Sequence, residues 1–532
     1  MLHSSAYILA IAIGFLSHWT YFIHGEHHMQ APLYGCILLA SIPILYFLEL
    51  KLHTHVPSQA IKGGLQIMAA YLLALFTSIT VYRLFFHHLR HFTGPVGARV
   101  SKIWHTWYVR HSQNHLVLDR LYREYGTFVR TGPEEITIFD PEALWAMNAP
   151  ASTCRRPDWY DLPAPLKSIA NIRDVALHDQ RRPVRNYESR ITKSGEQLDE
   201  QLTAANGKPL NMHDYFSFYT SDVMSVLAFG KSFNNLQKQS FHPSVQGVRD
   251  FMGVFGTLTP IPWFVRLGSV ILRRLNGWKS FIDFTKHHMN ERIMKEPPEP
   301  DVSSYLIAAS MEKGTLEEDR ALLEGDALVL LIVGSDSMAT TLINIVANLC
   351  RYPVYQHKIR REVATLSSIS DFDAVLDLPI LGSVFKETLR LWPPVPTGSG
   401  RIVPEGGLLI AGRYIPAGTK IFAPRYTIAR MESCFEKANE FIPERWTIKP
   451  EMVKNRHGYS PWSIGRYSCV GQRLAMRNIS YIIALLISKY DIEFAPYDDG
   501  TRVIRDMQDN FTANPGQLDL IFKLRSKEQI TA

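Results

Sequence analysis

Three apolar runs fill most of the first 86 residues: Ala6–Ile23, Leu33–Leu50 and Leu65–Phe86. Each is close to the roughly 17–25 residues that a helix needs to cross a bilayer, and charge is almost absent within them. Such a chain must give these segments to lipid or bury them in a core. The short, His-rich linkers favour lipid over three buried core helices. A cleaved signal peptide has one short apolar stretch and a small-residue cleavage site, which this pattern does not match. Arg83, Arg90, Arg99 and Lys102 cluster at and after the end of the third run, against Lys51 and Lys62 between the second and third. The excess of positive charge predicts a cytoplasmic body, with Met1 across the membrane. The expected organisation is an anchor over residues 1–90, with spans 6–23, 33–50 and 65–86. A Gly-Pro-containing hinge over 91–102 and one large globular unit over 103–532 follow.

The globular part reads as α+β, predominantly helical with small sheets. His115–Gly126 has helical spacing and stops at a glycine, and Thr127–Asp140 reads as two short strands about a Gly-Pro turn. A long helical middle runs from about Pro165 to Arg390. Strand patterns return in Gly407–Pro424 and Leu518–Leu524. Of 532 residues, 46% are hydrophobic, enough for a large core, and the net charge is only +7. Without a basic arm or run, nucleic-acid binding is not expected. The five cysteines are scattered with no CxxC pair, which excludes a clustered-cysteine metal site and a disulfide framework.

Four stretches carry chemistry. In PWSIGRYSCVGQRLA, Gly465 and Gly471 flank Cys469, directly before an amphipathic helix pattern. A helix N-terminus favours an anion and stabilises a thiolate, although most lone cysteines are core fillers. In FKETLRLWPPVP, Glu387 and Arg390 share one side of an apolar helix, and FIPERW brings Arg445 as a third partner. In GDALVLLIVGSDSMATTLINIVANLC, Gly334, Asp336 and Ser337 interrupt an apolar helix that gains nothing structural from them. Their plain alternative is a kink with a solvated face.

Together, in this order and spacing, the four stretches resemble the cytochrome P450 family from about Gly94 to the end. The anchor and the form of the loop are most similar to fungal endoplasmic-reticulum members of secondary metabolism. The resemblance implies the P450 fold and a b-type heme with Cys469 as axial thiolate, framed by Gly465 and Gly471. It assigns proton delivery during oxygen activation to Asp336 and Ser337, and a structural triad to Glu387, Arg390 and Arg445. It draws propionate contacts from Arg401, from His178 and Arg182 in LHDQRR, and from Arg466. It implies a monooxygenase acting on a lipophilic small molecule with O2. Electrons would come from an NADPH-cytochrome P450 reductase, with cytochrome b5 as a second donor. An O2-independent isomerase or dehydratase and a non-catalytic heme binder are the alternatives. The chain departs from the family pattern at Trp462 (Phe there), at Tyr467 (Arg or His), at Val333 (Ala or Gly) and at Ser337 (Thr). With a cytosolic body, the sequons at Asn478 and Asn510 are expected to stay unmodified.

Overall fold

The computed structural model describes residues 2–162, 167–179, 188–271, 276–295 and 300–526. Helices Leu2–Ser17, Ala31–Leu52 and Pro57–Val81 open the chain, and π turns His18–Phe22 and Tyr82–Phe86 extend the first and third. The stretches long and apolar enough to cross a membrane are Ser4–Phe22, His28–Leu52 and Pro57–Phe86. The second and third begin earlier than the apolar runs. Pro57 starts its helix at a position where a missing N–H is harmless, and a polar first turn precedes the apolar residues. Only 17%, 6% and 22% of these stretches is buried, whereas a fourth such helix, Leu316–Arg351, is 67% buried inside the body. That contrast separates lipid-type helices from a core helix and supports membrane anchoring. Within the anchor, small residues let the helices approach closely: a Cβ at Gly14 would lie 2.6 Å from the Tyr71 carbonyl oxygen. His18 Nδ1 and Ser78 Oγ meet at 2.8 Å across the first and third helices.

The anchor passes into the body without a break in contact. Arg83 donates to the Val100 carbonyl at 2.7 Å, and the Arg130 guanidinium to that of Arg83 at 3.0 Å. Within the segment read as a hinge, Val96–Val100 is a short helix.

The body is helix-dominated, with small sheets in the three segments read as strands and further short strands, among them Tyr490–Phe494 and Gln508–Asn510, that the sequence reading did not place. Phe128–Gly132 pairs antiparallel with Glu135–Ile138, which runs parallel to Lys420–Phe422, itself antiparallel to Arg401–Ile402. This sheet thus joins strands nearly 300 residues apart, bringing Arg401 beside the N-terminal strands. Helix Asn114–Tyr125 ends at Gly126, whose φ of +84° is the left-handed turn that glycine accepts without strain. Two cores result. One wraps the helix ending at Arg351 and helix Gln472–Lys489; the other lies between the sheet and helices Asn114–Tyr125 and Pro141–Asn148.

Candidate active site

The stretch before helix Gln472–Lys489 folds back on itself. The Cys469 N–H donates to the Trp462 carbonyl at 2.8 Å, and Ser463 and Gly465 turn through positive φ of +57° and +64°. Gly465 is also pressed against the chain at Asn148, where a Cβ would sit 2.0 Å from the carbonyl oxygen. Only glycine meets both demands. At Gly471 a Cβ would come within 3.9 Å of the Cys469 sulfur, an ordinary contact. Cys469 is exposed, whereas Cys154, Cys350 and Cys434 are buried and Cys36 lies on the second apolar helix. Burial pushes the Cys154, Cys350 and Cys434 thiols up, away from thiolate. Cys469 is therefore the accessible thiol of the body, at the end of a helix that favours its anion.

Beside this loop lies a cluster of buried cations. Arg401 is 1% exposed; it donates to Asn148 Oδ1 at 2.8 Å, the Gly400 carbonyl at 2.8 Å and the Tyr160 hydroxyl at 3.2 Å. Arg156 donates to the Ile169 and Ile172 carbonyls at 3.1 and 2.5 Å. Both guanidiniums lie over the Tyr467 ring, at 4.6 and 4.4 Å, and the buried His178 meets the same ring edge-on at 4.9 Å. Arg425 donates to the Ser460 carbonyl, and burial together with neighbouring Arg401 pushes it down to about 10. Among the described residues none of Arg156, Arg401 and Arg425 has a carboxylate partner, and both Arg156 Nε and Arg401 Nε are buried without an acceptor. Arg466 is exposed, and Arg182 lies outside the described residues. Arg156 was not expected here from the sequence. It sits in an irregular segment, and only the fold brings it to Tyr467.

Behind the loop, Glu387 and Arg390 stand on helix Pro379–Leu391, with side chains 0% exposed. Arg390 donates to both Glu387 oxygens, Nε at 3.0 Å and Nη2 at 2.8 Å, and Arg445 Nε donates to Oε1 at 3.0 Å. Trp446 Nε1 adds a bond to Oε2 at 2.8 Å, and the Ile442 N–H one to Oε1 at 3.0 Å. The second half of PERW therefore contributes twice, through Arg445 and through the indole that the sequence reading passed over.

The central helix corrects one expectation. It is not broken at GSDS: a π turn, Leu330–Gly334, joins α-helical Leu316–Val329 to Ser335–Arg351. Gly334 does have a structural task, since a Cβ there would lie 2.6 Å from Met224 Cε on helix Met212–Phe229. Ser335 returns its hydroxyl to the Leu331 carbonyl at 2.6 Å. Asp336 is half-buried, and Arg249 of helix Pro243–Leu258 donates to it at 2.7 Å, a partner that no local pattern announces. The Ser337 hydroxyl makes only a long contact, 3.4 Å, to the Gly334 carbonyl.

A cavity of about 280 Å³ opens between the anchor end and the body. Arg83, Lys102, Trp159, Trp263, Ser399 and Phe511 are among its lining residues. Pro157–Trp159, Thr397–Gly400 and Phe511 belong to the body-side wall, and Arg83 and Lys102 to the anchor side. The lining is partly charged: ion pairs Lys102–Glu135 at 2.6 Å and Lys420–Asp158 at 2.8 Å belong to it. Trp159 and Phe511 stack at 4.8 Å, and Phe511 holds a positive φ of +81°. Such backbone strain in a bulky residue persists only where its surroundings impose it.

Residues 165–522 match the family model described as Cytochrome P450. Over 539 residues the chain is 32% identical to cytochrome P450 monooxygenase notG' of Aspergillus versicolor, covering 98% of each. Over 535 residues it is 33% identical to tryprostatin B 6-hydroxylase of Neosartorya fischeri, covering 96% of this chain and 97% of that one. The crystal structure of cytochrome P450DA heme domain superposes with a TM-score of 0.64 at 15% identity, covering 80% of this chain and 96% of that one, which speaks for the fold. The four motifs, the helical body with its small sheets, and these matches over nearly the whole length lead to one conclusion: the chain belongs to the cytochrome P450 family and is a monooxygenase of it.

Proposed function

We propose that Cys469 would hold a b-type heme as its thiolate ligand, and that the enzyme oxidises a lipophilic small molecule of fungal secondary metabolism. Electrons come from an NADPH-cytochrome P450 reductase, with cytochrome b5 as a second donor. The anchor, residues 1–90, crosses the endoplasmic-reticulum membrane three times, and the hinge 91–102 leads to a cytosolic catalytic domain, 103–532. The observation that carries this reading is the single accessible thiol of the body, held in a glycine-framed turn at a helix N-terminus. The residues around it fit the group. Arg401 Nε and Arg156 Nε are buried donors without an acceptor, suited to the two propionate carboxylates, and His178 meets the same Tyr467 ring; the resemblance adds Arg182 and Arg466 to the set. Tyr467, in the place of the usual arginine or histidine, contributes a ring face that positions Arg156 and Arg401.

A thiolate-ligated heme, when bound, supplies O2 reduction and insertion of one oxygen atom into the substrate. The protein's own part is binding and proton handling. Asp336, held by Arg249, and the loosely bonded Ser337 hydroxyl are adjacent polar groups just after the π turn, suited to general acid work. Glu387, Arg390 and Arg445 fix the chain behind the loop.

The reading is tested by Cys469→Ala in the full-length protein. The variant is expected to lose the reduced carbon-monoxide band that marks a thiolate ligand. A parental band in the variant would refute the assignment.

A further inference from the structure

The loop between the first two apolar helices does more than connect them. Glu26 and His28 lie on it, and both reach the catalytic body. Arg173 grips Glu26 with two prongs, Nη1 to Oε2 at 2.8 Å and Nη2 to Oε1 at 3.0 Å. The same Nη1 donates to Asp161 Oδ2 at 2.7 Å, and His28 Nε2 meets that oxygen at 3.1 Å. The third nitrogen of the guanidinium, Nε, donates to the Arg156 carbonyl at 3.0 Å. Arg156 in turn ties down the Ile169 and Ile172 carbonyls and lies over Tyr467, two residues before Cys469. Hydrogen bonds therefore run from the anchor loop to Arg156, and a cation–π contact carries the connection on to the cysteine loop. Its footing is broader than one pair: helix Pro262–Ile271 packs on helix Ala31–Leu52 and on His28–Gln30, with Leu267 Cδ1 3.5 Å from where a Gly35 Cβ would be.

Glu26, His28 and Asp161 could in principle hold a metal ion, since their ligand atoms lie within 4.8 Å of one another. Arg173 argues against that. It already pairs with both carboxylates, and a dication would have to displace a bidentate guanidinium. The geometry points to a clasp instead: Glu26 and His28 of the first anchor loop fasten Arg173 and Asp161, and thereby hold Arg156 in position at the cofactor edge. This rests on the heme assignment above and adds a consequence for topology. The loop 23–30 and the catalytic body share one membrane face, so Met1 and the loop 53–56 share the other.

The test uses the full-length holoprotein in native membranes. Glu26→Arg, Arg173→Glu and the doubly exchanged protein are compared for the rate of heme transfer to excess apomyoglobin. Each single variant is expected to lose heme faster, by up to roughly fivefold for a half-exposed pair. The double exchange is expected to regain the part due to the matched charge pair and no more, because a carboxylate at position 173 cannot donate to Asp161 or to the Arg156 carbonyl. Parental rates in both single variants, or a double exchange no better than the worse single, would overturn the clasp. In parallel, His24→Cys and His55→Cys are probed with an impermeant maleimide in sealed microsomes. Labelling of His24→Cys from outside, and of His55→Cys only after permeabilisation, is the expected pattern. Protection of His24→Cys until permeabilisation would overturn the clasp as well. Labelling of both from outside, with the charge-swap rescue intact, would uphold the clasp and remove the three-span reading. Loss of the carbon-monoxide band in Cys469→Ala is independent of all these results.

Discussion

Two clusters of buried arginine flank the cysteine loop, and they are built in opposite ways. At Glu387 one carboxylate collects Arg390, Arg445, the Trp446 indole and the Ile442 N–H, while the guanidiniums spend their remaining donors on the carbonyls of Ala429, Ala438, Glu440 and Glu436. At Tyr467, Arg156 and Arg401 stack on an aromatic face, Arg425 stands near, and none has a carboxylate partner among the described residues. Isolated charges cannot be buried cheaply. In the first cluster one carboxylate pairs with both guanidiniums, and backbone carbonyls take their remaining donors. The second has a surplus of positive charge that suits a dianionic group. The difference matches the proposed roles, in which one cluster fixes the fold and the other holds the cofactor.

The largest expected effect is at the Glu387 cluster. Glu387→Ala leaves two guanidiniums buried without their counter-charge, and Arg390→Ala leaves the carboxylate with one cation fewer. Breaking such a pair costs about 3–5 kcal/mol, a large part of ordinary stability. Both variants are expected to fail to accumulate as folded, heme-loaded protein, read by yield and by heme absorbance. Normal yield from either would mean that the cluster tolerates an open charge, and the contrast with the second cluster would fall.

A smaller and different effect is expected at the Tyr467 cluster. Arg401→Leu should still accumulate as folded protein, because no buried carboxylate loses its partner. Heme retention should drop, since hydrogen bonds to charged groups contribute about 1.5–3 kcal/mol, roughly 10–100-fold in the rate of heme transfer to apomyoglobin. Parental heme retention would show that the surplus charge serves something else. Failure to fold would place Arg401 with the Glu387 group.

The two clusters also differ in how far they can be read from sequence. Glu387 and Arg390 sit three apart on one helix, and Arg445 lies in a short turn-forming motif, so local periodicity brings out the first cluster. Cys469 is legible for a similar reason: glycines, a helix start and the cysteine fall within a dozen residues. Arg156, Tyr467 and Arg401 come from three distant segments, and no local spacing relates them. Arg249 beside Asp336 and Glu26 beside Arg173 escape for the same reason. The strands within Thr127–Asp140, Gly407–Pro424 and Leu518–Leu524 and the helix ending at Gly126 were legible, because alternation and 3.6-residue spacing are local properties; Tyr490–Phe494 and Gln508–Asn510 were not read as strands. Gly334 was misread as a cost without return, because the Met224 side chain that demands it lies more than a hundred residues away. The sequons fail as a topology test on the same ground. Asn478 is 0% exposed and accepts from the Tyr219 hydroxyl, and Asn510 is 7% exposed, so neither can report a membrane face whatever the orientation.

Asp509 completes the comparison as a buried acid without a cation, and it yields the smallest expected effect. It lies on the strand Gln508–Asn510, 4% exposed, and its Oδ2 has no partner. Burial pushes its carboxyl up to about 7, against the Thr397 hydroxyl and the Phe511 and His115 N–H groups that favour its anion. The sign follows from proton counting. Between the ordinary carboxylate range near 4 and about 7, the folded state holds a proton that the unfolded state has released. Stability from this group is therefore present at low pH and is lost as pH rises through that interval, with the full penalty above about 7. A carboxamide does not titrate in this range, so Asp509→Asn should flatten this part of the pH profile. The absolute stability of the variant is a poor measure, because an amide nitrogen at the Oδ2 position would itself lack an acceptor. The informative quantity is how the gap between variant and parent changes with pH. Unfolding midpoints at pH 5 and pH 8 are expected to shift in favour of the variant at the higher pH, by an amount on the order of 1–3 kcal/mol. If the two proteins keep a constant gap, Asp509 is either ionised throughout or reached by water. In either case Asp509 would no longer serve as the uncompensated buried acid to set against the uncompensated arginines at Tyr467.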